Sequence, residues 1–197
     1  VFASAVLGDT ATAAAWIEPI LGDTTPVNNV SYRDDIIRGS YDPNDKTGTP
    51  KGYGINSIID RSDKIEYLIR FQNTGKDTAF QVILKDQLDD KLNLTTFEMV
   101  SASSPNFSFT IEDRLLEVKF LNILLPPQRL DEFGSQGYFK FRIKPNENAL
   151  LGSKIHNEAE IYFDYNSPIV TQKVTHQIAK NIISVDVKPF EKASEYM

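Results

Sequence analysis

The side chains of this chain best suited to chemistry are carboxylates and amides. Asp42, Asn44 and Asp45 set oxygen donors on a short segment held by Pro43, because proline fixes its own φ and biases the residue before it to an extended backbone. Hard cations such as calcium take several oxygen ligands, so this loop is a candidate calcium site. Asp86, with Asp89 and Asp90 behind it, or Asp164 with Asn166, would bring the remaining ligands from later segments. The same Asp-Pro-Asn-Asp run is also an ordinary turn sequence in which Asp and Asn bond to nearby backbone amides. It lacks the spacing of an EF-hand loop, and both readings stay open.

Other chemistry finds less support. The chain has no cysteine, which excludes disulfides, thiolate catalysis and cysteine-type zinc sites. His156 alternates with the buried positions of its segment and so points to solvent, His176 lies in a run rich in Thr and Gln, and neither stands in a nucleophile motif. The carboxylate pair of a glycosidase is defined by its separation in space, and among so many surface acids coincidence is the better account of any pair. The reading is of a protein that is not an enzyme. A carbohydrate-binding module would stack sugars on exposed aromatics, with Tyr138, Tyr162, Tyr165 and Trp16 as candidates, although tyrosine on the outer face of a strand also strengthens cross-strand packing. A third idea is an intramolecular Lys to Asn isopeptide bond, which cysteine-free adhesin domains sometimes use. Asn157 sits in the core-facing register of its segment, but no lysine stands out as forced inward to meet it.

The pattern that positions these residues is that of strands. Ile65, Tyr67, Ile69 and Phe71 alternate with Glu66, Leu68, Arg70 and Gln72, the period-2 signature of a strand with one buried face. Residues 73–78 break the pattern around Gly75, residues 79–85 resume it, and Asp86, Asp89 and Asp90 gather just past the end. Residues 96–102 read as a strand, Phe107, Phe109 and Ile111 mark another, and Leu116, Val118 and Phe120 a third, with Glu112, Asp113 and Arg114 as the turn between the last two. Residues 123–127 cross over. Phe139, Phe141 and Ile143 then face away from Tyr138, Lys140, Arg142 and Lys144; Ile155, Asn157, Ala159, Ile161 and Phe163 form one alternating run, and residues 168–178 the last. Short strands separated by turns, with no convincing helix, predict an all-β fold: an antiparallel immunoglobulin-like β-sandwich.

The 197 residues suffice for one large or two small domains. Residues 1–38, with strands near residues 11–15 and 30–37, read as the C-terminal strands of a preceding β-sandwich domain or a hairpin extension. Residues 39–180 are the sandwich, entered through a Gly- and Pro-rich loop up to residue 54 and a short strand at residues 55–60. Residues 181–197 are a linker or tail. A formal net charge of -6, with no basic patch carrying aromatics, argues against nucleic acid as the main partner. No apolar run approaches a membrane span, and Val1-Phe2-Ala3 lacks the charged start of a signal peptide, so the reading is of a chain that starts in mid-protein.

Four segments together resemble a known kind of domain: SYDPNDK at residues 40–46, IEYLIRFQNTGKDTAFQVILKDQLD at 65–89, GYFKFRIKP at 137–145 and IHNEAEIYFDYNSPIVT at 155–171. They are similar to the immunoglobulin-like conserved-repeat domain found near the C-terminus of large secreted Bacteroidetes surface proteins, related to the repeats of bacterial adhesins. The resemblance covers roughly residues 39–178. It implies a non-enzymatic structural or adhesive module, secreted or on the cell surface, that spaces or presents other domains. Its partners would be those domains and cell-surface or secretion-machinery proteins. It further implies that GDTTPVNN at residues 22–29 closes a preceding domain of the same kind, and that residues 183–197 lead to a type IX secretion sorting domain outside this chain. The alternative is a carbohydrate-binding module attached to a secreted enzyme.

Overall fold

A computed structural model describes residues 10–18, 22, 24, 29–36 and 43–179. The chain divides into two compact units, Val1–Asp42 and Pro43–Met197. In the first, β1 (Thr10–Trp16) pairs antiparallel with β2 (Val30–Ile36), Thr10 opposite Ile36 and Trp16 opposite Val30. The tail read at residues 181–197 lies outside the described residues.

The second unit contains β3 (Asp45–Thr49), β4 (Ile58–Ile59), β5 (Ile65–Gln72), β6 (Ala79–Gln87), β7 (Leu92–Ala102), β8 (Phe107–Glu112), β9 (Leu115–Leu125), β10 (Gln136–Pro145), β11 (Lys154–Asn157), β12 (Glu160–Phe163), β13 (Ile169–Val170) and β14 (Val174–Ile178). One sheet runs β3-β5-β10-β7 and another β13-β12-β6-β9-β8; a smaller one, β11-β14-β4, pairs β14 with β4 in parallel. The immunoglobulin-like sandwich expected from the sequence is the fold observed. Its core follows from alternation: β5 buries Ile65, Tyr67, Ile69 and Phe71, β10 buries Phe139, Phe141 and Ile143, and they meet Val82 and Leu84 of β6 and Leu116, Val118 and Phe120 of β9. Phe71 packs on Phe120 with ring centroids 5.3 Å apart and Phe107 on Phe139 at 5.8 Å, each pair spanning the two large sheets.

Four segments differ from the sequence reading. The single run expected over residues 155–163 is two strands in different sheets, β11 and β12. The break falls at Glu158 and Ala159, where Ala159 N–H donates to Thr171 Oγ1 (3.0 Å) and Thr171 N–H donates back to Ala159 O (2.9 Å). A strand that changes sheets makes a corner of a sandwich, and the run at 168–178 divides into β13 and β14 for the same reason. Residues 123–127 do not simply cross over: β9 continues to Leu125, with Asn122 and Leu124 at positive φ and a register shift against β6. Within the entry loop, residues 45–49 form the edge strand β3, Asp45 opposite Arg70 and Thr49 opposite Glu66.

Candidate functional site

β3 is the element that matters most. Lys46 is in register with the inward-facing Ile69 of β5, so its side chain enters the core and is buried there. From the facing sheet, Asp86 continues the inward series Val82, Leu84, Asp86 along β6 and is fully buried. From the third sheet, Asn157 follows Ile155 inward along β11 and is buried as well. The three side chains meet at one point, where Lys46 Nζ donates to both Asp86 Oδ2 and Asn157 Oδ1. The Tyr67 and Phe141 rings wall the amine, their centroids 4.9 and 5.5 Å from Nζ.

This environment is hostile to charge. Burial lowers the Lys46 pKa and the neighbouring Asp86 carboxylate opposes that; burial raises the Asp86 pKa and Lys46 opposes that. Both directions favour a neutral amine beside a neutral acid over an ion pair, because desolvating two charges costs more than a single contact returns. Among the described residues, Asp86 Oδ1 and Asn157 Nδ2 have no hydrogen-bond partner, although buried polar atoms are nearly always paired. Tyr67, beside them, has its hydroxyl pKa raised well above the ordinary tyrosine value by burial. His176 packs edge-on against the Tyr67 ring, with centroids 6.2 Å apart; its Nε2 bonds to Pro50 O at 2.9 Å and burial lowers its pKa.

The residues proposed for calcium go to separate partners. Asp42 lies outside the described residues. Asn44 Oδ1 accepts Gln72 N–H at 3.0 Å, and Asp45 takes a two-pronged bond from Arg70, Nε and Nη2 each at 2.6 Å. Asp86 faces Lys46. Asp164, at φ 52°, accepts the N–H groups of Phe80 and Gln81 at 2.9 Å each. Asp89 accepts the N–H groups of Lys91 and His156, both at 2.9 Å. Among the described residues no group of three or more His, Cys, Asp or Glu is placed to hold a metal ion.

Nor do the tyrosines share a platform. Tyr138 is on β10 and Tyr162 on β12, in different sheets. The Tyr162 hydroxyl donates to Glu160 Oε2 at 2.6 Å, and Lys85 Nζ lies over its ring at 5.3 Å. Tyr165 is exposed. His156 does face solvent, as its alternation requires, and its Nδ1 lies 3.0 Å from Thr175 Oγ1.

Sequence reasoning reached Asn157 and Asp86 but missed Lys46. The overlooked signal is the phase of Asp86: an acid in step with Val82 and Leu84, like an amide in step with Ile155, calls for a buried partner.

An immunoglobulin-like sandwich with a polar triad sealed between its sheets is thus the class of protein at hand. The chain belongs to a family described as a domain of unknown function (DUF7619), whose model matches residues 42–177. Over 61 residues it is 39% identical to an outer-membrane lipoprotein carrier protein of Aliivibrio salmonicida (strain LFI1238), a match spanning 31% of each chain. Its fold is similar to BcpA, the major pilin subunit of Bacillus cereus, at a TM-score of 0.48 and 15% identity over 68% of this chain and 39% of that one. It is also similar to the collagen-binding domain from a Staphylococcus aureus adhesin, at 0.41 and 13% identity over 72% of this chain and 100% of that one.

Proposed function

We propose that residues 43–179 form a non-enzymatic structural or adhesive module of a surface-displayed protein, one that spaces, presents or anchors other domains of its polypeptide. The observation that carries this reading is the burial of Lys46, Asp86 and Asn157. The residues best equipped for chemistry are closed off from any substrate and join three sheets. The outer faces support it: Glu66 on β5 bonds to Lys140 at 3.0 Å and Arg142 at 2.7 Å on β10, and Lys85 on β6 reaches Glu117 on β9 at 3.6 Å, a surface of solvated cross-strand pairs. The resemblance in the four sequence segments extends the proposal to a secreted Bacteroidetes protein exported by the type IX route.

Domain exchange in the intact protein tests the role. Residues 43–179 are replaced by an unrelated sandwich of similar length, and protease accessibility on whole cells and attachment are measured. Restored display and attachment mark a spacer; retained display with lost attachment marks an adhesive surface. A native protein shielded from protease on intact cells would refute surface display.

A further inference from the structure

We propose that this domain forms its own covalent cross-link, an isopeptide bond between Lys46 Nζ and Asn157 Cγ, with Asp86 as the catalytic acid and base. The proposal goes beyond the module's role, and holds or fails independently of where the protein is displayed.

The geometry supplies each requirement of the reaction. The nucleophile is already in hydrogen-bond contact with the amide it would attack, Lys46 Nζ with Asn157 Oδ1, and all three groups are fixed by strands rather than loops, the kind of positioning that replaces a bimolecular encounter. An ammonium has no lone pair and cannot attack. Asp86 Oδ2 accepts from the same nitrogen and is placed to take its proton, and the burial of both groups favours that transfer. The protonated Asp86 then faces an amide oxygen that becomes an oxyanion as Nζ adds to Cγ. A neutral carboxylic acid in an apolar site stabilises such an oxyanion by donating a hydrogen bond.

The atoms balance without an outside reagent. Nζ forms a bond to Cγ, the Cγ–Nδ2 bond breaks, Asp86 relays the proton taken from Nζ to the departing Nδ2, and ammonia leaves. Oδ1 stays as the oxygen of the new amide. The atoms that a non-covalent arrangement leaves unexplained, Asp86 Oδ1 and Asn157 Nδ2, are the second oxygen of the proton carrier and the leaving group. Tyr67 and Phe141 wall the amine and keep out the water that would hydrolyse the amide instead. Asn157, itself buried, borders a cleft also lined by Asp89, His156, Glu158 and Lys173, so the ammonia is released at the edge of the domain and not at its centre.

Intact-mass measurement of the purified, denatured chain is the test. The expected mass is that of the sequence less one ammonia, and after proteolysis tandem mass spectrometry should find one branched peptide joining Lys46 to Asn157. Lys46→Ala and Asn157→Ala should each show the full mass. Asp86→Ala, with folding checked by circular dichroism, should stay unlinked. A folded parent chain with the full sequence mass overturns the proposal whatever the variants do. So does an ammonia loss that maps to a succinimide at another asparagine, or a link that persists in folded Asp86→Ala.

Discussion

Asp45 and Lys46 are neighbours in sequence and opposites in setting, because a strand sends successive side chains to opposite faces. Asp45 meets the Arg70 guanidinium in a two-pronged bond, with Arg70 still 40% exposed. Since that partner can rehydrate, Asp45→Ala should cost about 1–2 kcal/mol, read as a lower urea midpoint at unchanged slope. With Asn44, Asp45, Asp86 and Asp164 each bonded to a different protein group, millimolar calcium and chelator should give the same melting temperature; a rise with calcium would restore the loop as a cation site. His176 sets a pH dependence. Its folded pKa lies below the ordinary 6.5 because burial disfavours the imidazolium. As pH falls through 6.5 the unfolded chain takes up a proton that folded His176 refuses, so stability declines down to the folded pKa and this contribution is level below it. Urea melts at pH about 7.5 and about 5 should show that loss in the parent and a smaller one in His176→Gln.

Strands β5, β6, β8 and β10 were legible from the sequence because each carries large apolar residues at every second position. β3 was not. Its sequence, Asp-Lys-Thr-Gly-Thr, has no apolar side chain, so periodicity has nothing to detect; it is a strand because β5 offers it an edge to pair with. The same blindness hid the site, since a buried lysine looks like a surface lysine until the strand that carries it is recognised. The corner at Glu158 and Ala159 escaped because the alternation continues across it while the hydrogen bonding changes sheets. Glycines on these strands mark close approaches instead. Gly137 lies opposite Phe71, and a Cβ there would fall 2.2 Å from the Phe71 ring. Gly137→Ala should therefore destabilise the domain by about 1–3 kcal/mol through overpacking, seen as a lower thermal midpoint. An unchanged midpoint would mean that the ring can move aside.

On the scale of the whole domain, the two large sheets turn their outer faces in opposite directions, which separates Tyr138 from Tyr162. A glycan array with the isolated domain should therefore show no saturable binding; binding lost in Tyr162→Ala would revive the carbohydrate reading. The placement of Lys46 and Asn157 has a further consequence when the chain is pulled from its ends. Lys46 lies on the first strand of the domain and Asn157 111 residues later, so a covalent tie between them carries tension from one to the other and leaves everything between slack. Under a stretching force only the segment after Asn157 can peel, about 22 residues up to the end of the described chain, or roughly 70–80 Å at full extension. In a single-molecule pulling experiment Lys46→Ala should release the hidden loop as well, adding roughly 370–400 Å of contour length. The parent domain would act as a link with a built-in stop, its yield limited to that short terminal segment.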